Sequence, residues 1–257
     1  MSRVKILIAT HKNYEFPNTA CYVPIYVGKA LHRQQLAIQG DDTGDNISVK
    51  NGSFCELTAL YWAWKNDAFA ENDYVGLVHY RRYFKGSDIL LKGKRIASEN
   101  ELLSYLVKYD AVVAKKRNYY IESVYSHYKN AHYIKDLDLT KKIIERDFPE
   151  YVTAFEQVMS SNSLHLFNMF VLKREYFEQY CAWLFAILFK LEKLIDISGY
   201  DNYQKRVFGF LAERLFNVWL LKNKLSKKEI KVITLEKEKI LLKVIGLLKR
   251  KFLKRSK

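Results

Sequence analysis

The chain has little of what usually makes an active site readable. Its 257 residues contain three cysteines, Cys21, Cys55 and Cys181, far apart, odd in number and without a C-x-x-C pair. No disulfide framework is expected, and the thiols suit a reducing, cytosolic compartment. The six histidines show no metal-ligand spacing: His127 and His132 are five apart, and no Cys or His completes a zinc set. Walker A, G-x-G-x-x-G, H-E-x-x-H and G-x-S-x-G signatures are missing, which removes the P-loop, dinucleotide, zinc-protease and α/β-hydrolase readings at the level of motif. No run of 18 uncharged apolar residues occurs, so no membrane span is expected. "MSRVKILIAT" passes directly into a strand, so no signal peptide is expected either.

Tyrosine, by contrast, is abundant at 19 residues. Such a content suits a polar cleft with flat walls and hydroxyl handles, or reflects a Tyr- and Lys-rich compositional habit. Basic charge is plentiful but unevenly placed. Lys222–Lys257 hold fourteen Lys and Arg against three Asp and Glu, +11 of the net +15, leaving the other 221 residues at +4. A nearly balanced body weakens a nucleic-acid reading, and no nucleic-acid partner is expected.

Alternating strand and helix signals run through the first 114 residues. "VKILIAT" (4–10) is a β-branched run suited to a strand buried on both faces, and "CYVPIYVG" (21–28) is a shorter strand interrupted by Pro24. In "SFCELTALYWAWKN", Ser53 and Glu56 have capping-box spacing ahead of a helix, and Ser98 and Glu101 repeat it in "ASENELLSYLVKY". "YVGLVHYRRYF" (74–84) and "DAVVA" (110–114) read as further strands, giving an α/β fold with a mostly parallel sheet. "HLFNMFVLK" (165–173) is another buried strand, followed by two long helices within 174–195 and 203–223. The division expected is one globular domain over 1–222 and a basic tail over 223–257. The tail reads as a short strand-like piece and then an amphipathic helix with Ile240, Leu241, Val244, Ile245, Leu248 and Phe252 near one face. That helix suits an anionic membrane surface; a terminal helix docked on its own domain is the structural alternative.

Ligands of open α/β sheets bind beyond the carboxyl ends of the strands. Those ends here are basic and aromatic: "THKN" (10–13), "HYRRYF" (79–84) and "KKRNYY" (115–120). Cations beside flat surfaces match a nucleotide diphosphate. Asp41, Asp42 and Asp45 in "DDTGD" could ligate a divalent cation, but they lack the length and closing Glu of an EF-hand loop, and an ordinary Asp-rich turn is the alternative.

Four segments together, "DNISVKNGSFCELTALYWAWKN", "YVGLVHYRRYF", "HLFNMFVLKREYFEQYCAWLF" and "YQKRVFGFLAERLFNVW", resemble a bacterial family of unknown-function domains from capsular and exopolysaccharide loci. That family is regarded as glycosyltransferases, some members using UDP-galactofuranose, and the resemblance runs from about residue 3 to 222. It implies a GT-A-like sheet flanked by helices, with a helical C-terminal portion. GT-A enzymes usually end the relevant strand in Asp-x-Asp and hold a divalent metal there. This chain has His79-Tyr80-Arg81-Arg82-Tyr83 instead, so no metal is expected, with Mg²⁺ or Mn²⁺ left open. Arg81 and Arg82, with His79, would then stabilise the departing diphosphate. Alternation along a strand places the two arginines on opposite faces, one in the site and the other in a scaffold ion pair with Glu56 or Asp73.

The remaining candidates follow the same resemblance. Thr10, His11 and Lys12 lie where the nucleotide is met, with a capping or surface role the alternative for His11; His79 and Tyr80 precede the arginines; Asn168 suits a sugar contact or a buried amide pinning a turn; and Gln204 and Arg206 are polar groups at the start of an apolar helix. Asp201 and Glu213 are the carboxylates available to deprotonate an acceptor hydroxyl, or else members of helix ion pairs. The expected partners are a UDP-sugar donor, a polyprenyl-diphosphate-linked glycan acceptor and, through the tail, the inner face of the cell membrane. A non-catalytic nucleic-acid or partner-binding module is the rival class.

Overall fold

The computed structural model describes residues 3–32 and 36–236. In chain order, β1 (Val4–Thr10), β2 (Tyr22–Tyr26) and β3 (Gln39–Gly40) precede α1 (Asn51–Phe54) and α2 (Leu57–Lys65). Next come β4 (Tyr74–His79), β5 (Arg82–Leu91), β6 (Lys94–Ile96), α3 (Glu99–Leu106), β7 (Ala111–Ala114) and β8 (Arg117–Asn118). The second half is more helical: α4 (Val124–Ala131), α5 (Ile134–Asp147), α6 (Val152–Ser160), β9 (Ser163–Leu164), β10 (Phe170–Lys173), α7 (Arg174–Glu192) and α8 (Val207–Lys222), then β11 (Lys227–Ile230) and β12 (Val232–Thr234).

The main path of the sheet is β11-β7-β10-β4-β1-β2-β3. Four of its six pairings are parallel and the two made by β10 are antiparallel, so the sheet is mixed and mostly parallel. β1 and β4 are covered on both faces, which explains their unbroken apolar runs. Alternate residues feed two cores: Leu7, Ala9, Val75 and Leu77 meet the layer containing α2, α5, α7 and α8, while Ile6, Ile8 and Val78 meet α3 and β5. Burying each Val, Leu or Ile among these contributes ~1.5–3 kcal/mol. Gly76 in β4 has a packing reason: a Cβ there would lie 2.7 Å from the Phe170 carbonyl oxygen of β10.

Of three expected local features, one forms as expected and two take another form. The Ser98–Glu101 capping box is formed, Glu101 N donating to Ser98 Oγ (3.2 Å) and Ser98 N to Glu101 Oε2 (2.9 Å). The Ser53–Glu56 box is not. Cys55 has φ +53° and breaks the helix in two, and Ser53 Oγ instead donates to the Lys50 carbonyl. The strand expected over 165–173 shrinks to Phe170–Lys173, because Phe167 (φ +75°) and Asn168 (φ +51°) are both left-handed and bend the chain. Two such non-glycine residues in succession are costly and need surrounding contacts to hold them.

The sheet also runs past the boundary expected at residue 222. β11 pairs with β7 and β12 with β5, so the strand-like start of the tail is part of the sheet. The amphipathic stretch expected over 240–252 lies outside the described residues. Among those described, no helix is long and apolar enough to cross a membrane.

Candidate active site

A cleft of about 390 Å³ opens at the carboxyl ends of β1 and β4. One wall comes from strand ends: Ala9 and His11 at the end of β1, and His79 to Arg82 at the junction of β4 and β5. The other comes from helices: Asn51, Gly52, Cys55 and Glu56 at the α1–α2 break, Asn202 and Arg206 before α8, and Glu213 within it. Phe167, from the left-handed bend, lies between them.

The arginines do not point to opposite faces of one strand. β4 ends at His79 and β5 begins at Arg82; these two residues pair across a turn made by Tyr80 and Arg81. Both arginines therefore line the same cleft. Of the carboxylates proposed as scaffold partners, Asp73 pairs with Arg3, and one oxygen of Glu56 accepts from Asn168. The Arg82 guanidinium sits 4.6 Å from the Phe167 ring centre. Arg81 Nη1 is 3.4 Å from Glu236 Oε2, while Lys12 Nζ is 3.5 Å from the other oxygen of the same carboxylate. Lys12 also lies 4.9 Å from the Tyr80 ring centre, and His11 meets that ring edge-on at 5.3 Å. Glu236, two residues beyond the end of β12, thus places an anion between two cations at the rim.

Electrostatics separates the two histidines from the carboxylates. Burial lowers the His11 pKa, and the charges of Lys12 and Arg81 lower it further. Burial also lowers that of His79; Glu56 and the Phe167 carbonyl oppose this, while Arg82 and Arg81 reinforce it. His79 Nε2 is 2.6 Å from the Phe167 carbonyl, which can only accept, so this nitrogen carries the proton. His79 holds the 167–168 bend in place.

Two carboxylates face this arrangement from the helical wall. Burial raises the Glu213 carboxyl pKa against the pull of Arg214. Both Glu213 oxygens have protein partners: Oε1 accepts from Phe167 N (2.9 Å) and Oε2 from Arg214 Nη1 (3.1 Å). Glu56 differs. Its Oε1 accepts from Asn168 Nδ2 (2.7 Å), a neutral side-chain amide. Asn168 Nδ2 also donates to the Gly209 carbonyl at 3.2 Å, which fixes the amide between α8 and Glu56. Asn168 acts on the site through Glu56. The neighbouring Cys55 thiol is pushed up to about 12, chiefly by burial, so it is not a nucleophile near neutral pH.

Of the residues singled out from sequence, His11, His79, Tyr80, Arg81, Arg82, Arg206 and Glu213 line the cleft. Thr10 is buried beneath it, donating from Oγ1 to the Lys12 carbonyl, and Lys12 stands at the rim. Asp201 and Gln204 are not in the lining. Asp201 accepts from Tyr203 N and Gln204 N, both at 2.8 Å, and so caps the turn leading into α8. Gln204 is tied to α4, donating to the Ala131 carbonyl and accepting from His132 Nδ1. Asp41 is a scaffold residue too, buried and accepting from Gly28 N, Lys29 N and Ser48 Oγ. Asp42 pairs with Lys29 and Asp45 with Tyr61, so the "DDTGD" carboxylates diverge. Among the described residues no group of three His, Cys, Asp or Glu could hold a metal ion.

Glu56 is the cleft carboxylate that sequence reasoning left among structural residues. Capping-box spacing explained it too easily, and the helix break at Cys55 carries no sequence mark, since neither Gly nor Pro stands there. Phe167 and Asn202 were missed for a similar reason: each reaches the cleft through an irregular backbone.

A solved structure of WbbM, described as a bifunctional glycosyltransferase in its apo form, superposes with a TM-score of 0.79 at 36% sequence identity. The match covers 90% of this chain and 45% of that one, so this chain spans under half the length of that protein. No curated protein matches. Residues 5–224, which contain every described wall of the cleft, match the family described as Domain of unknown function (DUF4422), and the chain belongs to that family.

Proposed function

We propose that this chain is a glycosyltransferase that moves a sugar from a UDP-sugar to a lipid-linked oligosaccharide in capsular or exopolysaccharide synthesis, with galactofuranose the first donor sugar to test. The observation that carries this is the polarity of the cleft. Lys12, Arg81 and Arg82 gather on the strand-end wall, where a diphosphate would be met, and Glu56 stands on the opposite wall. The likeness to a glycosyltransferase structure supports the same reaction class.

In this reading the diphosphate replaces the Glu236 carboxylate between Lys12 and Arg81. As the sugar–phosphate bond breaks, negative charge grows on the leaving UDP, and fixed guanidinium groups stabilise it. Glu56, oriented by Asn168, takes the proton of the attacking hydroxyl. Positive charge on the arginines does what a bound metal would do, so turnover should survive a chelator. Residues 237–257 are rich in Lys and Arg, and in this reading they supply attachment to anionic lipid.

A panel of UDP-sugars, begun with UDP-galactofuranose and followed by mass, tests this. One sugar should be transferred or slowly hydrolysed, in EDTA as in buffer, and UDP should raise Tm. No consumption of any UDP-sugar together with no shift by UDP would sink the reading. Loss of turnover in EDTA, restored by Mn²⁺, would sink the metal-free part alone. Truncation after Glu236, which leaves β11 and β12 in place, should abolish sedimentation with anionic vesicles; unchanged sedimentation would remove the tail's role.

A further inference from the structure

We infer, resting on the transferase reading above, that Tyr203, His132 and Phe210 form a shelf on which a sugar ring of the acceptor stacks. Tyr203 is 49% exposed, yet its surroundings are fixed. Asp201 caps its backbone turn through Tyr203 N and Gln204 N. Its ring is stacked on His132, with centres 5.8 Å apart and planes 19° from parallel, and lies 5.1 Å from Phe210. His132 and Phe210 are themselves 4.1 Å apart. Gln204 accepts from His132 Nδ1 and donates to the Ala131 carbonyl, which fixes the orientation of the imidazole. Folding alone gives no reason to hold an exposed tyrosine so firmly, whereas binding does: an ordered platform loses little freedom when a ligand arrives.

Position identifies the ligand. The shelf is continuous with the cleft through Arg206, whose guanidinium lies 5.5 Å from the Phe210 ring centre while Arg206 also lines the cleft. Arg206 Nε donates to Cys55 Sγ at 3.3 Å, next to Glu56. The shelf therefore adjoins the wall bearing the proposed base, while the cations for the diphosphate stand on the opposite wall. The sugar whose hydroxyl is deprotonated has to reach Glu56, and the acceptor is that sugar. Aromatic faces suit the C–H face of a sugar ring, and Asn202 and Arg206, which line the adjoining cleft, supply partners for hydroxyl groups.

Saturation-transfer NMR on the full chain, with UDP present and the methyl glycosides of glucose, galactose and mannose as probes, tests the shelf. At least one glycoside should receive saturation, strongest on the C–H protons of one ring face. Tyr203→Ala should weaken its binding about 3- to 10-fold and Tyr203→Phe should retain it. UDP affinity by calorimetry should be unchanged in both variants, and their melting curves should match wild type. Saturation of no glycoside, or equal saturation in Tyr203→Ala, would overturn the proposal. A loss of UDP affinity in Tyr203→Ala would assign the shelf to the nucleotide base instead and overturn it as well. Failure of wild type to bind UDP is a separate result, which strikes the donor reading and leaves the sugar signals to be judged on their own.

Discussion

The two walls of the cleft differ in charge and in how firmly that charge is held. On the helical wall, Glu56 and Glu213 receive hydrogen bonds from an amide, a backbone N–H and an arginine that is 2% exposed. On the strand-end wall, Lys12 and Arg81 are well exposed and share one carboxylate at 3.4–3.5 Å, the loose end of ion-pair geometry. A group that moves a proton must be placed within a few tenths of an ångström, whereas cations that grip a diphosphate act over longer range and must open to admit it. The fixed wall fits the chemical step, and the loose wall fits binding and release.

The largest effect should come from the fixed wall. Glu56→Gln keeps the size and the hydrogen bond from Asn168 but removes the base, so turnover should fall by ~10²–10⁴-fold. UDP affinity should be unchanged, since the cations are untouched. Measuring kcat beside a UDP titration checks both halves. Near-normal kcat would break the division of labour between the walls.

The strand-end wall comes second. Arg81→Ala or Arg82→Ala removes a charged donor, and UDP should bind ~10- to 100-fold more weakly in each. The sequence alone suggested that one of the two would matter, from the alternation of side chains on a strand. A strand rule was applied to a turn: nothing in "HYRRYF" marks where β4 stops, since neither Gly nor Pro stands at the corner. If only one substitution weakens UDP binding, alternation describes the site better than the turn does.

That example shows what the sequence could and could not disclose. Strands β1, β4 and β7 were legible because burial on both faces requires continuous apolar residues, and α3 because its cap is local chemistry. The cationic half of the site was legible too, since Arg and His beyond a buried strand are conspicuous. The carboxylate half was not. Glu213 was visible as a polar residue in an apolar helix, but Glu56 reaches the cleft only because Cys55 and the Phe167–Asn168 bend take positive φ, and no residue type announces that. Asp201 looked equally acidic in sequence and proves to cap a turn. β10 reversed the sheet direction without leaving a sign in its own four residues.

A third test separates the two carboxylates of the fixed wall. Burial raises the Glu213 pKa, so folding favours its protonated form. A carboxyl with a raised folded pKa contributes stability that is complete below its unfolded value and lost as pH rises through the folded one. At about pH 7 the ionised group is therefore a cost, and at about pH 4 that cost is gone. Glu213→Gln should raise Tm at the higher pH, with a gain that shrinks toward the lower, while turnover falls far less than in Glu56→Gln. A large loss of turnover without any pH-dependent gain in Tm would exchange the roles of Glu56 and Glu213.

The smallest effect should come from Glu236. Partial burial raises its carboxyl, but the hydrogen bond from Arg81 and the charge of Lys12 outweigh that and hold it below the usual range, so it is ionised at neutral pH and competes with any incoming anion. Exposed ion pairs of this kind are worth ~0.2–1 kcal/mol, so Glu236→Gln should tighten UDP binding about 1.4- to 5-fold at low salt. Because the competition is between exposed charges, the gain should shrink in 0.5 M salt, where the Debye length falls to a few ångströms. The opposite sign, weaker UDP binding in Glu236→Gln, would mean that the carboxylate holds Lys12 and Arg81 in their binding position. The strand-end wall would then be as deliberately fixed as the helical one, with β12 as its support.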